Sequence, residues 1–393
     1  MNIQAVERLN QRAITHRRAL HAIPELGLEL PKTVAYIESV LTACGIKAIH
    51  CGDGIIADVG STGPLVAIRA DMDALSITEL GTEPYRSQHP GLMHACGHDA
   101  HAGVLLACAE AYAEAPPIGF RVRLLFQPGE EGSFGAPKMI DAGCLDGVVA
   151  IVGGHVGDLS SEIEPGQAGF LPGPMMASTD AFRGRFIGSG GHGAAPHQAQ
   201  DPIPALAQFV DALQAFRNRV PDQRKPFVVS VCHISAGTTY NVIPGEALFK
   251  GTARTLEPSQ RELARTGIER ACMGIAQAHG LGYEFEWLPG YPSLYNEPVA
   301  TRLAMDVARD VLGADCVKEM TVPSMGGEDF SYYLQKIPGC FWFFNTQAPQ
   351  LGISHPNHHP LFNVDERLIA SLGVVNMAIA GALAKNFGTD ATP

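Results

Sequence analysis

Short apolar segments of strand length alternate with helical patterns along most of this chain, and this alternation limits the possible folds more than any other feature. Strand patterns occur at Leu65 to Ala70, Arg121 to Pro128 and Val148 to His155. Helical spacing occurs at Glu7 to His21, Thr33 to Cys44, His98 to Ala113 and Glu366 to Asn386. Strands that alternate with helices predict an α/β sheet with helices on both faces.

The alternation is interrupted once, near Ser178, and resumes near Glu297. Between these points the order is strand, helix, strand, strand, helix, strand. The two helical segments there are Pro202 to Arg219 and Ser259 to His279. We therefore predict a discontinuous first domain, residues 1–178 and 292–393, with an inserted α+β domain at residues 179–291.

Length and composition fit a two-domain globular protein. The chain has 393 residues, of which 46% are hydrophobic and 17% charged, and this length exceeds what one core usually organises. The apolar segments are shorter than the ~18 residues of a membrane span. The polar N-terminus lacks the apolar centre of a signal peptide. We therefore expect a cytoplasmic protein with no membrane partner.

Charge and cysteine content exclude two further classes. The net charge is −12 with Lys and Arg scattered, so there is no basic stripe for nucleic acid. Nine cysteines in a long chain without a signal sequence are typical of reduced thiols and not of a disulfide framework. Most of them, such as Cys44 and Cys108, are interpreted as small core hydrophobes.

Side chains that bind metals cluster in four segments beside predicted strand ends or tight turns. They are Cys96 and His98 in HACGHDAH, Glu130 and Glu131 in QPGEEG, His155 in GGHVG, and the histidines of HPNHHP at His355 to Pro360. Active sites of α/β sheets collect at the C-terminal ends of strands. Gly97 lets the chain turn tightly between Cys96 and His98. We expect the four segments to meet at one place.

This donor set is larger than one zinc ion needs. A thiolate, three imidazoles and a carboxylate exceed a single tetrahedral site. They fit two metal ions that share a bridging ligand and a water, polarise a carbonyl and supply hydroxide near neutral pH. Of Glu130 and Glu131, one can bind metal while the other acts as general base and then acid. Structural or surface roles are assigned to His50, His89, His233 and His279.

Eleven segments in a fixed order carry a resemblance to a known family. They are RRALHAIPELGLE, RADMDALS, MHACGHDAH, QPGEEG, GGHVG, GPMMASTD, GGHGAAPH, TTYNVIPG, GTART, MGGEDFSYY and HHPLFNVDE. Over nearly its whole length the chain resembles the di-metal hydrolases that include aminoacylase, carboxypeptidase G and indoleacetyl-amino-acid hydrolase, specifically the hippurate hydrolase branch. The resemblance implies a phosphorylase/hydrolase-like di-metal catalytic domain with an inserted ferredoxin-like lid and dimerisation domain.

The resemblance also implies roles around the two metal ions. Cys96 would bridge the ions, and Glu130 would be the general base. The remaining ligands would be His98, Glu131, His155 and His358. Asp73 would orient a ligand or the loop of the site. His358 is chosen over His359 because the ligand of the family precedes the Pro by two residues. Zn, Mn, Co and Ni all suit such a donor set, so the sequence does not fix the metal.

Three further residues would come from the inserted domain. His192 would polarise the scissile carbonyl across a homodimer. Asn241 and Arg254 would hold the substrate, with Arg254 as a bidentate partner for its carboxylate. The implied reaction is hydrolysis of the amide bond of hippurate-like or N-acetyl amino acids by a metal-bound water, with Glu130 as base. The products would be a carboxylic acid and a free amino acid.

The chain departs from the pattern of the hippurate hydrolase branch at three places. Ser76 stands where the branch usually has Pro. Gly157 and Asp158 stand where it often has an aromatic residue and a Pro. The segment HPNHHP carries additional histidines, His355 and His359. The first two departures are expected to change the wall of the acyl pocket.

Two other functions compete with hydrolysis of N-acyl amino acids. A dipeptidase of the same family would need an acid, such as Asp158, for a free α-ammonium group. An inactive metal-binding protein would be expected to have lost the general base, whereas Glu130 and every implied ligand are present.

Overall fold

The computed structural model describes residues 3–388. Its α-helices are α1 (Ile3–His21), α2 (Pro31–Ala43), α3 (His98–Glu114), α4 (Gly135–Asp141), α5 (Pro202–Arg219), α6 (Pro258–His279), α7 (Pro298–Leu312), α8 (Ser331–Leu334) and α9 (Ile369–Phe387). Short 3₁₀ helices lie at Pro196–Gln198, Ala314–Cys316 and Pro349–Leu351. Helices α2, α5, α6 and α7 begin with Pro, whose fixed φ and missing N–H suit the first helical turn. The side chains of Asp201 and Glu297 cap α5 and α7.

The strands alternate with these helices along the chain. They are β1 (Ile49–Cys51), β2 (Gly54–Val59), β3 (Leu65–Asp71), β4 (Arg121–Gln127), β5 (Val148–Val156), β6 (Ala168–Phe170), β7 (Gly173–Met176), β8 (Asp180–Ile187), β9 (Gly191–His192), β10 (Phe227–Ala236), β11 (Val242–Ile243), β12 (Glu246–Thr255), β13 (Gly282–Leu288), β14 (Leu294–Asn296), β15 (Val317–Glu319) and β16 (Gly339–Phe344). The predicted strands that end at Ala70, Pro128 and His155 end within one residue of these positions.

The chain divides into two compact units. The first comprises Met1–Gly173, Tyr295–Ser324 and Asp329–Pro393, and the second comprises Pro174–Leu294 and Met325–Glu328. The predicted domain boundaries at 178/179 and 291/292 lie a few residues from two of these limits. The predicted boundaries between the two domains remain predictions.

Eight strands of the first unit form one mixed sheet, in the order β1-β2-β4-β3-β5-β16-β6-β15. Its centre is parallel, since β3 pairs in parallel with β4 and β5, and β16 with β5. Strands β1, β2 and β6 add antiparallel pairs. All seven residues of β3 are buried, as expected for a parallel strand covered on both faces. The predicted mixed α/β fold is confirmed.

Two adjacent glycines of β5 reveal what covers the two faces of this sheet. A Cβ atom at Gly153 would lie 2.8 Å from the ring of Phe330, and one at Gly154 would lie 2.8 Å from Leu372 of α9. Successive strand residues point to opposite faces. Phe330, just before α8, and Leu372 therefore pack on opposite sides of β5, and a larger side chain at either glycine would force them apart.

Helix α9 alone among the described residues is long and apolar enough to cross a membrane. Its residues Leu372, Val375, Ile379 and Leu383 are buried, and it packs against α3, α7 and β5. It therefore serves as a core helix of the first unit. The sequence pattern started this helix at Glu366, but it begins at Ile369 because residues 365–368 form a hydrogen-bonded turn.

A glycine allows α3 to pack closely on α1. A Cβ atom at Gly103 would lie 2.6 Å from the backbone nitrogen of Arg17. Most residues of α3 are buried. The helix is therefore held firmly from its first residue, His98, which the sequence predicts as a metal ligand.

The second unit has its own sheet and core. Its strands pair antiparallel in the order β10-β12-β8-β13, and α5 and α6 pack against them. Its core contains Phe182, Phe186, Phe209 and Phe249. This order of strands and helices is that of a split βαβ unit. Strands β9 and β11 form a separate two-stranded ribbon.

Candidate metal centre

Three of the predicted site residues of the first unit lie at or just after the C-terminal ends of adjacent parallel strands. Asp73 comes two residues after β3, Glu130 comes three residues after β4, and His155 is the penultimate residue of β5. Because β4, β3 and β5 are neighbours in that order, these ends share one edge of the sheet. Such an edge is where α/β sheets place their sites.

A tight turn at Gly97 brings Cys96 and the start of α3 to the same edge. Gly97 has φ of 93°, and a Cβ atom there would lie 2.6 Å from Cγ2 of Val156. Only glycine satisfies both the backbone angle and the space. Cys96 and His98 therefore lie on either side of this turn, close to the end of β5.

The carboxylate of Asp73 holds the turn that carries the two glutamates. Its Oδ1 accepts the backbone N–H of Glu130 and its Oδ2 accepts that of Glu131, each at 3.0 Å. The turn is flanked by Gly129 and Gly132, with φ of 69° and 79°. Asp73 is buried, and its two hydrogen bonds fix the position of the turn that carries Glu130 and Glu131.

Nε2 of His98 lies among the donor atoms of the site, 3.7 Å from Oδ2 of Asp71. Its Nδ1 lies 2.9 Å from the carbonyl oxygen of Asp73, to which it donates. Its buried Nε2 has no hydrogen-bond partner among residues 3–388. Burial lowers the pKa of His98, but Asp71 and Cys96 raise it more, so the net pKa lies well above its ordinary value. The surroundings of Nε2 therefore favour positive charge, as a cation site requires.

His155 is held as a neutral imidazole that faces Cys96. Its Nδ1 donates to the carbonyl oxygen of Val156 at 2.8 Å, and its Nε2 lies 3.4 Å from Sγ of Cys96. Burial, and next the neighbouring His101, hold the pKa of His155 well below its usual range. Burial also raises the pKa of the Cys96 thiol to about 12. An adjacent cation would favour the thiolate form of Cys96.

The loop HPNHHP places one of its three histidines beside a glutamate of the site. Nε2 of His358 lies 3.1 Å from Oε1 of Glu131. The imidazole of His359 instead stacks on that of His355, with ring centroids 4.2 Å apart, and its Nδ1 accepts the backbone N–H of Leu361. Of these three histidines, His358 is the one that lies beside a glutamate of the site, and its role as a metal ligand stays a prediction.

The donor atoms form overlapping groups of the size of metal sites. The atoms of each group lie within 4.8 Å of one another, and three of the five groups found within the described residues are Cys96, His98 and His155; Cys96, Glu131 and His358; and His98, Glu130 and Glu131. Cys96, His98 and Glu131 each belong to two of these three groups, so the groups share donors as neighbouring metal sites do. Thiolate, imidazole and carboxylate donors suit first-row divalent cations. The residues therefore fit two divalent metal ions.

A buried network beneath these donors was missed by the sequence analysis. Asp71 accepts from Nη1 of Arg69 and from Nδ1 of His101, each at 2.6 Å. Nε2 of His101 accepts the backbone N–H of Val156 at 2.9 Å. His101 is thereby fully hydrogen-bonded and braces the end of β5. The segments RADMDALS and HACGHDAH contain these residues, but spacing alone gave them no role.

The network extends to the segment MGGEDFSYY. Asp329 accepts from Nη2 of Arg69 at 2.9 Å, from Nε2 of Gln127 at 2.8 Å and from the backbone N–H of Ala136 at 3.0 Å. The hydroxyl of Tyr333 donates to Oε1 of Gln127 at 3.0 Å. The buried carboxylate of Asp329 thus joins the ends of β3 and β4. Asp329 and Tyr333, both in the segment MGGEDFSYY, therefore have structural roles.

The second unit brings two of its three predicted site residues together. His192 lies on β9 and pairs with Val242 of β11, and Asn241 immediately precedes β11. The backbone N–H of Gly193 donates to the carbonyl oxygen of Asn241 at 2.9 Å. Nδ1 of His192 accepts the N–H of Ala194 at 3.0 Å, so its Nε2 can carry the proton. Both side chains are exposed.

Arg254 lies within β12. Its Nη1 donates to the carbonyl oxygens of Asp180 at 3.2 Å and Ala253 at 3.0 Å, and to Oγ1 of Thr252. Burial lowers the pKa of this guanidinium. Its Nε and Nη2 have no hydrogen-bond partner in the described part of the chain, so one edge of the guanidinium is open to a ligand.

Comparison with known proteins identifies the family. Residues 67–379 match Peptidase family M20/M25/M40, and the chain belongs to this family. The resemblance drawn from the eleven segments is confirmed.

Three relatives are similar over most of their length. The N-acetyl-L-cysteine deacetylase of Bacillus subtilis (strain 168) is 38% identical, over 92% of this chain and 85% of that protein. The N-acyl-L-amino acid amidohydrolase of Geobacillus stearothermophilus is 41% identical, over 74% of this chain and 80% of that protein. A Bacillus subtilis structure described as a dinuclear metal-binding peptidase of the M20 family is 33% identical, with a TM-score of 0.81 over 97% of this chain and 99% of that chain.

Proposed function

We propose that this protein hydrolyses the amide bond of N-acyl amino acids, of the hippurate or N-acetyl type, with two divalent metal ions. The observation that carries the proposal is the buried donor set of Cys96, His98 and His155 with Glu130 and Glu131 beside it at the ends of three parallel strands. The relatives named for deacetylation and N-acyl amino acid hydrolysis support the substrate class.

Each proposed site residue of the first unit has a defined role in this reaction. Cys96, His98, Glu131, His155 and His358 would hold the ions. Two bound divalent ions polarise the amide carbonyl and lower the pKa of water. The carboxylate of Glu130 takes a proton from the attacking water and later delivers it to the amide nitrogen, which leaves as the amine. Asp73 keeps Glu130 in place through its bond to the backbone N–H.

The second unit would recognise the substrate. The open edge of Arg254 can donate two parallel hydrogen bonds to the carboxylate of the amino-acid part. His192, with a proton on Nε2, can donate to the carbonyl oxygen as negative charge develops there. Asn241 lies next to His192 on the ribbon and would hold the same end of the substrate.

We further propose that the second unit, a lid in the family pattern, pairs two copies of the chain. Strand β10 is an edge of its sheet. Ile234 on this strand is 57% exposed, and its neighbours Cys232 and His233 are exposed as well. An exposed apolar edge strand is a template for pairing with another strand. A homodimer through β10 would cover it.

A substrate and metal panel tests the function. Hippurate, N-acetyl-Met and a dipeptide are each incubated with the enzyme loaded with Zn²⁺, Mn²⁺, Co²⁺ or Ni²⁺, and release of the free amino acid is measured. We expect the two N-acyl substrates to be cleaved. Removal of the metal by a chelator should abolish this activity, and readdition should restore it. Cleavage of neither N-acyl substrate with any metal would disprove the proposal.

The dipeptide in this panel tests the main alternative. Asp158 lies three residues after His155, is exposed, and has no cationic partner in the described residues. A free α-ammonium group could pair with such a carboxylate. Preference for the dipeptide over N-acetyl-Met would establish a dipeptidase, and no turnover of any substrate by the metal-loaded protein would favour the inactive metal-binding protein.

We propose that the enzyme is located in the cytoplasm.

A further inference from the structure

The side-chain amide of Asn357 contacts two of the segments that carry proposed ligands. Its Nδ2 donates to the carbonyl oxygen of Cys96 at 3.0 Å and to that of Val156 at 3.2 Å, and it lies 3.9 Å from Sγ of Cys96. The next residue in the chain is His358. One side chain therefore links the segments of Cys96 and His155 to the loop of His358.

The bond from Asn357 to Val156 bears on His155. The same carbonyl oxygen of Val156 accepts the N–H of His155 Nδ1 at 2.8 Å. That bond keeps the proton on Nδ1 and leaves the lone pair of Nε2 facing Cys96. Asn357 thus helps to fix the acceptor that sets the tautomer and ring orientation of His155.

His358 adopts a backbone conformation that needs support from its surroundings. Its φ is 70°, in the left-handed region that residues with a Cβ rarely adopt. Its backbone N–H donates to the carbonyl oxygen of Ala95 at 2.7 Å. Two adjacent loop residues, Asn357 and His358, are therefore hydrogen-bonded to two adjacent residues, Cys96 and Ala95. The two bonds hold the imidazole of His358 beside Glu131.

Gly157 provides the space that the amide of Asn357 occupies. A Cβ atom at Gly157 would lie 2.1 Å from Oδ1 and 2.6 Å from Nδ2 of Asn357. The φ of Gly157 is 127°, an angle that itself favours glycine. The hippurate hydrolase branch often has an aromatic residue at position 157. In this chain, Gly157 leaves the space that the side chain of Asn357 fills.

We propose that Asn357 is a positioning residue of the metal centre, and that Gly157 is the complementary residue that lets it reach Cys96 and Val156. Its amide holds the three proposed ligands, Cys96, His155 and His358, in fixed positions relative to one another. This role rests on the proposed metal centre but not on the identity of the substrate.

The test compares Asn357→Leu with His359→Ala in the metal-loaded protein. Leu has the same branching and the same number of side-chain heavy atoms as Asn, with bulkier methyl groups and no N–H donors. His359 lies in the same loop, and its imidazole stacks on that of His355 and accepts the backbone N–H of Leu361. Metal content, metal affinity and the thiolate-to-cobalt charge-transfer band of the Co²⁺ form are measured. We expect Asn357→Leu to bind the second ion at least ~10-fold more weakly, as for loss of a residue that orients a ligand, with a shifted band. His359→Ala should match the parent protein.

Gly157→Ala displaces the same amide by a different route. It should weaken metal binding and shift the cobalt band in the parent protein, and do so much less in the Asn357→Ala background, where the space is already vacant. The strain from the φ of Gly157 is common to both backgrounds and cancels in this comparison. This double-variant cycle also decides the matter if Asn357→Leu does not fold.

Three results would overturn the proposal. The first is an Asn357→Leu protein with two ions, parent-like affinity and an unchanged cobalt band. The second is equal loss of metal in Asn357→Leu and His359→Ala. The third is an equal effect of Gly157→Ala in both backgrounds of the cycle. A parent protein that binds two ions yet cleaves no N-acyl amino acid would disprove the proposed function and leave this test intact.

Discussion

Five of the seven proposed site residues of the first unit are buried, while Glu131 is partly buried and His358 is exposed; in the second unit, two of the three are exposed and none is buried. Asp73 and His98 lie fully inside the first unit, and Glu130 is only 6% exposed. In the second unit, His192 and Asn241 lie on a two-stranded ribbon in contact with solvent. Arg254 is intermediate, with one edge bonded within the unit and the other open.

This difference in burial matches the different proposed roles of the two units, metal binding in the first and substrate binding in the second. Ligands to metal ions need fixed separations and tautomers, which burial and hydrogen bonds to the backbone supply. Residues that meet a substrate must be reachable from solvent, and their hydrogen bonds form only when the substrate arrives. We therefore expect changes in the first unit to affect metal binding, stability and turnover, and changes in the second unit to affect mainly substrate recognition.

The largest expected effect is the loss of the general base. Glu130→Gln removes the group that moves the proton but leaves the turn held by Asp73, so two ions should stay bound. Turnover should fall by about 10²- to 10⁴-fold, measured as kcat beside metal analysis. Glu131→Gln is the matched change and should lose metal as well as activity. Near-normal kcat in metal-replete Glu130→Gln would contradict the assignment.

A buried ion cluster of the first unit should come next in effect. Asp99 follows His98 and accepts from Nε of Arg17 at 3.1 Å and from Nδ1 of His21 at 2.8 Å. Asp99→Asn removes the carboxylate that contacts both cations, although each cation keeps a second carboxylate partner; we expect a loss of about 1.5–3 kcal/mol of unfolding free energy, as for a buried hydrogen bond to a charged group. Denaturant titration of the metal-free protein measures this loss, and a change under about 1 kcal/mol would refute it.

The same cluster predicts a pH dependence of stability. Burial lowers the pKa of His21, but Asp99 raises it more, to about 9. Because the folded pKa is above the unfolded value of about 6.5, this stabilisation is complete below about pH 6.5 and is lost as the pH rises through about 9. The slope of stability against pH over this window should be smaller in Asp99→Asn. An equal slope in both proteins would assign it to another group.

His192→Ala is the strongest change expected in the second unit. Loss of a donor to the developing oxyanion should lower kcat by about 10²- to 10³-fold. If His192 acts on the site of the partner subunit, mixing Glu130→Ala and His192→Ala homodimers creates one intact site in each mixed dimer. With random exchange about a quarter of all sites should recover. Verified mixed dimers without recovered activity would place His192 in the site of its own subunit or outside catalysis.

Arg254→Lys should have a smaller and more selective effect. A lysine cannot form two parallel bonds to a carboxylate, and one charge-assisted bond is worth about 1.5–3 kcal/mol. We expect kcat/KM for N-acyl amino acids to fall about 10- to 100-fold, with little change for the corresponding amino-acid amides. Equal losses on both substrates would indicate that Arg254 serves only to hold Asp180 and Ala253.

The smallest effect is expected for an exposed ion pair of the second unit. Arg183 and Glu286 pair across β8 and β13, and both side chains are about half exposed. Solvent and salt screen such pairs, so Glu286→Gln should leave the denaturation midpoint unchanged within error. A loss as large as that of Asp99→Asn would show that burial does not explain the contrast between the two units.

Much of the fold followed from local patterns. The strands that end near Ala70, Pro128 and His155 were predicted to within a residue, because buried parallel strands are short apolar runs bounded by turns. Short strands such as β1, β6 and β15 were missed. They have three residues each, too few for a period to be recognised, and they are defined by pairing with distant strands.

The sequence by itself determined the donor types, their order along the chain and the family, since these depend on residue identity and local spacing. Only the tertiary structure decided which atoms meet. His358 lies beside Glu131 while His359 stacks on His355, although the two histidines are neighbours in the same motif. Asn357 reaches Cys96 across 261 positions of sequence. Such contacts depend on how remote strands and loops pack, and no local period records that packing.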